Sequence, residues 1–569
     1  MDSTNSAEAM KTLVGSFNSD IRLVWPEWKY KSLTFSYDDA TVSDRRLVEI
    51  FNRYGMKGTF NVSSNFLDRV RHLSSAELAE LYDGHEIACH GKNHLRMPDV
   101  SASRQEQEIV DDINYLSKKA GYPVLGFAYP YGKYSPELIN NLQKQNIAYA
   151  RICPPTREFG LPDDLYRWAP TAHHKHNIDE IAERYKDYTP WGGVISLCYI
   201  WGHSYEFNRD NNWQVIEDFC CKLANHPDIW YATNIEIVRY LQAYRNAVSS
   251  MDCSRFCNTS AVTLYLMVNN EKVKLAPGES LNVDSDGSVS VTPRPADLLP
   301  EAAVAPADRM IFYPDGSRKA LAFSFDDGHC EDERLATLLK KYHCRGAFNF
   351  SAKRLLENPA QGAWYAGHEI ATHGLRHTTA SLASPAQLLH DIVLDRKVLE
   401  TLSDRIVNGH AWPNGSTFGA PEFAQDILSS SGIIYARGTR STNAFELPEN
   451  LMCWEPTAKA VPAVLDEVSC NFAAEPADEE LKLCTVWGHS WEYKVESDWQ
   501  ALEKFCADWS DKKVWRATYG EIARYIIAVR SLEWTPDRKM VRNPSCENIY
   551  IGKGGKLCML HPGEVMIFE

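Results

Sequence analysis

Two periodicities alternate along this chain. Short apolar runs rich in β-formers, such as SLTFS, GTFNV and GVISLCYI, are separated by stretches such as DRRLVEIFNRYG and WQVIEDFCCKLANH, whose apolar residues recur at helical spacing. The first kind predicts buried strands and the second amphipathic helices. Their βαβα order predicts an α/β fold with a parallel sheet or barrel.

The whole pattern is written twice. KSLTFSYDDATVSDRRLVEIFNRYGMKGTFNVSS from Lys31 returns as RKALAFSFDDGHCEDERLATLLKKYHCRGAFNFSA from Arg318. DGHEIACHGKNH (Asp83 to His94) returns as AGHEIATHGLRH (Ala366 to His377), and LCYIWGHSYEF from Leu197 as LCTVWGHSWEY from Leu483. The closing segments align without a gap, Asn258 on Asn543, 285 positions on. Such a unit is too long for a solenoid repeat and long enough to fold as a domain, so the chain is a tandem duplication. Each unit closes on alternating apolar positions and a PGE turn, which predicts a small antiparallel β appendage. The Pro-, Ala- and Asp-rich stretch from Asp284 to Met310 reads as a linker. The expected organisation is copy one at 1–250, its appendage at 251–283, the linker at 284–310, copy two at 311–535 and its appendage at 536–569.

Composition narrows the function classes. The 569 residues are 44% apolar and 24% charged, enough for sizeable cores. A net charge of −15 repels phosphate backbones and anionic membranes, so neither nucleic acid nor a membrane is expected as a partner. No stretch approaches the roughly 18 apolar residues that cross a bilayer, and the opening residues lack a basic start followed by an apolar run. The chain reads as cytoplasmic. Its fifteen cysteines form no CxxC pairs and are expected mostly as reduced core thiols.

The repeated polar residues carry the candidate chemistry. Asp38 and Asp39 follow the strand KSLTFSY, and Asp326 and Asp327 follow ALAFSF, at the carboxyl end where α/β folds place active sites. Asp caps turns routinely, yet two adjacent carboxylates are costly unless a positive group neutralises one. His90 with His94, and His373 with His377, suggest that group, because a spacing of four puts both imidazoles on one side of a helical turn. Two His and one Asp with open positions suit a catalytic divalent ion. Water bound at such an ion has its pKa lowered toward about 7, and the second carboxylate is left free as general base. His203 and His489, in WGHS of each copy, supply the general acid that such a hydrolysis needs. Trp201 and Trp487 beside them offer ring faces for a sugar or an acetyl methyl, core packing being their alternative role.

Together these motifs resemble the polysaccharide deacetylase family, the NodB homology domain of carbohydrate esterase family four. The resemblance implies two tandem irregular (β/α)-barrels of fewer than eight strands, and metal-dependent removal of acetyl groups from an N- or O-acetylated carbohydrate. By that resemblance Asp38 and Asp326 are bases, Asp39, His90, His94, Asp327, His373 and His377 metal ligands, and His203 and His489 acids. The family's third motif, whose aromatic backbone N–H helps bind the oxyanion, matches FAYPYG and HAWPNG, placing Tyr131 and Asn414 at that position. Its Arg is replaced by Ala128 and Ala411. Arg151 and Arg437, in YAR of both copies, can stand in from another strand, a surface salt bridge being the more ordinary role.

The expected cofactor is a divalent metal, zinc first, with cobalt, nickel or manganese compatible. The expected partner is an acetylated saccharide. A homo-oligomer is compatible with the duplication, but no residue demonstrates one. Two rival readings are hydrolysis of a non-sugar amide and a carbohydrate-binding pseudoenzyme. Asn414 in place of Tyr131, with Lys459 and Ala460 in place of His173 and His174, makes copy one the better preserved at the substrate end.

Overall fold

The computed structural model describes residues 20–190, 192, 194–294, 307–415, 422–477 and 480–569. Lys31–Asp38 is buried at all eight positions, as a strand covered on both faces must be, and it lies at the middle of an eight-stranded parallel sheet. On one side run Gly58–Val62, Glu86–Cys89, Gly126–Ala128 and Tyr149–Arg151; on the other run Ser196–Gly202 and Ala172–His173. Those seven strands follow one path. The eighth, Ile229–Tyr231, pairs only with Lys31–Leu33, which brings the count above the number expected.

The sheet curls into a half-barrel, and one extended segment spans its two edges. Trp168 bridges to Arg151 on one edge, while Ala172–His173 pairs with Ile200–Trp201 on the other. Copy two repeats the order from Tyr435–Arg437 to Ala458–Lys459 around Lys319–Asp326, with the matching bridge between Arg437 and Trp454.

Helices cover the outside for legible reasons. In Ala102–Ala120 the buried Ile109, Ile113 and Leu116 fall on one face, Ser101 caps the Arg104 N–H, and Gly121 ends the helix in the left-handed region at φ 77°. Asn234–Arg245 opens with a capping box of Thr233 and Glu236, and Tyr519–Arg530 repeats it with Thr518 and Glu521. One face of the sheet packs Phe35 on Phe51, with ring centroids 4.5 Å apart; the other packs Tyr199 with Trp25 and Tyr240.

The antiparallel appendages are larger than the expected segments. Leu264–Val268 pairs with Ile21–Val24, which precedes the barrel, and Ser280–Val283 pairs with Val289–Thr292. The stretch expected as a linker therefore begins with a strand, and its residues 295–306 lie outside the described ones. Seven of the fifteen cysteines are buried, short of the majority expected in the core. No helix among the described residues is long and apolar enough to cross a membrane.

Candidate metal and acid-base site

Both aspartate pairs stand at the carboxyl end of the central strand. Asp38 is the last residue of the strand and is buried; Asp39 turns the chain with φ 80°, and Asp327 does the same at φ 76°. Asp tolerates this left-handed region better than most residues, and both carboxylates of copy one face His90 Nε2, at 3.8 and 3.9 Å. His90 follows Glu86–Cys89, the strand next but one to the central strand. His90 and His94 lie on a tight turn rather than the helical turn expected, because Gly91 and His94 both have positive φ, at 75° and 54°. The turn still brings the two rings to 4.7 Å between centroids.

The three expected ligands converge. The Oδ1 of Asp39 lies 3.9 Å from His90 Nε2 and 3.7 Å from His94 Nε2, and in copy two the Oδ1 of Asp327 lies 3.8 Å from both His373 Nε2 and His377 Nε2. These gaps are too long for hydrogen bonds, and the buried Oδ1 of Asp39 has no hydrogen-bond partner. The carbonyl of Ala128 lies 2.8 Å from His90 Nδ1, and that of Ala411 lies 2.8 Å from His373 Nδ1. A carbonyl can only accept, so Nδ1 carries the proton and Nε2 keeps a free lone pair. Burial, with His90 beside it, pushes His94 down to about 4, which keeps its imidazole neutral. An orphaned carboxylate oxygen facing two imidazole Nε2 atoms fits a divalent cation at ligand distances near 2 Å.

Asp38 is paired more closely than a surface role would allow. Arg151, fully buried, donates from Nη2 to its Oδ2 at 2.6 Å, and Asn61 donates from Nδ2 to its Oδ1 at 2.8 Å. Burial alone would raise this carboxyl, but Arg151, His90, His203 and Asn61 together hold it below the usual carboxylate value. In copy two Arg437 contacts Asp326 directly, and Asn349 donates to the same carboxyl at 3.0 Å. Both arginines end short strands, Tyr149–Arg151 and Tyr435–Arg437, and are buried ion-pair partners of Asp38 and Asp326 rather than members of a surface salt bridge.

Trp201 and Trp487, expected as substrate faces, are buried beneath these arginines. The Arg151 guanidinium lies 4.3 Å from the Trp201 ring centre and that of Arg437 4.9 Å from Trp487. Each tryptophan still lies 5.8 Å from its neighbouring histidine, but the more exposed rings there are Tyr205, 5.3 Å from His203, and Trp491, 4.9 Å from His489 and 40% exposed.

His203 Nε2 stands 3.9 Å from Asp38 Oδ2 and 4.0 Å from Asp39 Oδ2, so the acid candidate faces the base across the metal-ligand cluster. Its Nδ1 lies 3.5 Å from Glu206, as His489 Nδ1 lies 3.4 Å from Glu492. Burial would lower both imidazoles, but the glutamate and the aspartate pair raise them. His173 and His174, expected in the cleft, turn to Glu206 as well, each with Nε2 3.2 Å away. His174 is buried, with its ring centre 5.7 Å from Tyr37 and 4.2 Å from Phe207.

Tyr131 and Asn414 share φ 58°, a conformation easier for Asn than for Tyr. The hydrogen bonds of the turn run from the Gly132 N–H to the Tyr129 carbonyl and from the Lys133 N–H to the Pro130 carbonyl, with the Tyr131 N–H not among the donors. The ring of Tyr131 sits 4.7 Å from His94, whose side chain is 16% exposed; with Asn414 in its place, His377 is 43% exposed.

Sequence reasoning did not single out Asn61, Glu206, Tyr205 or their repeats. Aligning the copies on each other shows Asn in GTFN and GAFN, and an aromatic followed by Glu in HSYE and HSWE.

Residues 27–150 and 314–436 match the polysaccharide deacetylase family model. Each copy therefore carries a polysaccharide deacetylase segment. The matched segments end one residue before Arg151 and Arg437, so in these two deacetylase segments Arg151, Arg437, His203 and His489 lie beyond the matched part. No curated protein matches the chain. Similar solved structures include a family 4 carbohydrate esterase from Streptomyces lividans in complex with acetate, 16% identical over 34% of this chain and 88% of that one, TM-score 0.25. The Xyl-CE4 domain of a multidomain xylanase from the hindgut metagenome of Trinervitermes trinervoides is 18% identical over 38% of this chain and 92% of that one, TM-score 0.27. The deacetylase PplD of Streptococcus pyogenes, in complex with acetate, is 22% identical over 21% of this chain and 55% of that one, TM-score 0.21.

Proposed function

We propose that the protein is a metal-dependent hydrolase that removes acetyl groups from an N- or O-acetylated saccharide. The observation that carries this reading is the Asp38 carboxylate, kept ionised by Arg151 and facing His203 at 3.9 Å beside three convergent ligand atoms. When bound by Asp39, His90 and His94, a divalent ion, zinc by preference for such a donor set, supplies carbonyl polarisation and acidifies water. Asp38 takes the proton of the attacking water as its oxygen bonds to the acetyl carbon. The Tyr131 N–H is the donor for the oxygen that gains charge. His203, held by Glu206, gives its Nε2 proton to the leaving nitrogen or oxygen as the C–N or C–O bond breaks, releasing acetate. Tyr205 and Tyr131 offer ring faces on which a sugar can stack.

The experiment is acetate release from N-acetylglucosamine oligomers, acetylated xylan and small acetamides by the zinc-loaded protein. Release from a saccharide, with little from the acetamides, supports the reading. Release from acetamides alone would move the substrate class, and no release from any would leave a binding protein.

A further inference from the structure

The two copies meet around a local two-fold relation. Ser260 and Ser545, the same position in each copy, form an antiparallel bridge. The Cys546 N–H donates to the Thr259 carbonyl and the Ala261 N–H to the Pro544 carbonyl, both at 2.9 Å. Under the 285-residue offset each of these bonds is the image of the other. Charges flanking the contact should therefore find equivalent partners on its two sides.

Arg239 and Arg524 break that equivalence. They hold the same position in the helices Asn234–Arg245 and Tyr519–Arg530. Arg239 donates across to Glu533 Oε2 at 3.0 Å, and Arg542 shares that oxygen at 3.0 Å. Glu533 and Arg542 are opposite each other in register; their images, Val248 and Cys257, are also opposite each other. Arg524 therefore meets an apolar side chain and a thiol where Arg239 meets a carboxylate. Among the described residues its side chain makes no hydrogen bond or ion pair. Its field reaches the half-buried Glu369, whose oxygens accept from the Tyr435 hydroxyl at 2.9 Å and the Gly520 N–H at 2.8 Å rather than from Arg524.

Space is left at the same point. Arg524 lines two adjoining cavities of ≈ 530 and ≈ 600 Å³, which also share Cys257, Thr259 and Ser280. The other arginines on these walls are engaged. Arg345 pairs with Glu521, Arg294 with Glu547 and Arg255 with Asp404, while Arg516 and Arg405 donate to the carbonyls of Trp509 and His368. A half-buried guanidinium with no carboxylate in hydrogen-bonding contact is costly, and its planar fork of donors matches an oxyanion.

We infer that this cavity binds a small oxyanion, a carboxylate or a phosphate, whose oxygens occupy on Arg524 the place that the Glu533 carboxylate takes on Arg239. The site shares no residue with either metal-ligand cluster. Isothermal titration of the full chain with sodium phosphate and, separately, sodium acetate, at ionic strength held constant with chloride, tests it. Saturable one-to-one binding of at least one anion is expected, weakened roughly tenfold or more in Arg524→Gln. Val248→Glu, which restores the carboxylate present in copy two, should abolish the binding and raise the anion-free melting temperature. The absence of saturable binding of either anion to the wild type, or wild-type affinity in folded Arg524→Gln or in Val248→Glu, overturns the proposal.

Discussion

Arg151 and Asp38, more than a hundred positions apart in the chain, form a buried ion pair of 2.6 Å at the centre of copy one. Removing the cation leaves a buried carboxylate without a counter-charge, which costs about 3 kcal/mol or more. Arg151→Met should therefore lower stability strongly, and adding Asp38→Asn should restore part of the loss in denaturant unfolding. The pH consequence has a definite sign. Asp38 is held below its unfolded value, so the pair contributes stability above that value and loses it as pH falls through the folded one. In an Asp326→Asn background, the acidic limb of kcat/KM should lie below the ordinary Asp range near pH 4 and move up by about a unit or more in Arg151→Gln. An unmoved limb would separate Arg151 from the base.

The ligand clusters predict up to two divalent ions per chain. Asp39→Ala with Asp327→Ala removes the one carboxylate of each set and should abolish bound metal, read by elemental analysis after dialysis. Full metal content in that folded double variant would sink the assignment.

How much of this was legible beforehand differs by residue. Asp38, Asp39, His90, His94 and His203 recur in both copies, and short motifs survive comparison whatever the fold between them. The βαβα order was legible because buried strands and amphipathic helices have different periods. The stacking of Arg151 on Trp201 was not, because a charge on one strand and a ring on another reveal nothing of their contact until the sheet curls them together. The turn at His90 and His94 was misread because a spacing of four suits a helix, and only the positive φ of Gly91 and His94 shows otherwise.

Glu206 is expected to tune the acid. Because Glu206 raises His203 against the effect of burial, Glu206→Gln should shift the basic limb of kcat/KM to lower pH. His203→Ala should reduce turnover roughly a hundredfold or more with metal content intact. Both are read with copy two silenced by Asp326→Asn, and a basic limb indifferent to Glu206→Gln would count against the pairing.

The copies should not contribute equally. His94 is covered by Tyr131, a ring that is itself 63% exposed, whereas Asn414 leaves His377 open. A lost stacking face costs on the order of 1 kcal/mol, enough for a several-fold change in affinity. Asp38→Asn should remove most activity on the best substrate and Asp326→Asn little, in side-by-side steady-state kinetics. The reverse ranking would make copy two the principal site.

The most direct test of the account is acetate release by the zinc-loaded full chain set against the folded Asp38→Asn, Asp326→Asn double variant. Release from an acetylated saccharide by the wild type, a fall of about a hundredfold or more in the double variant, and equal metal content in the two are expected. Undiminished release by the double variant would contradict the account.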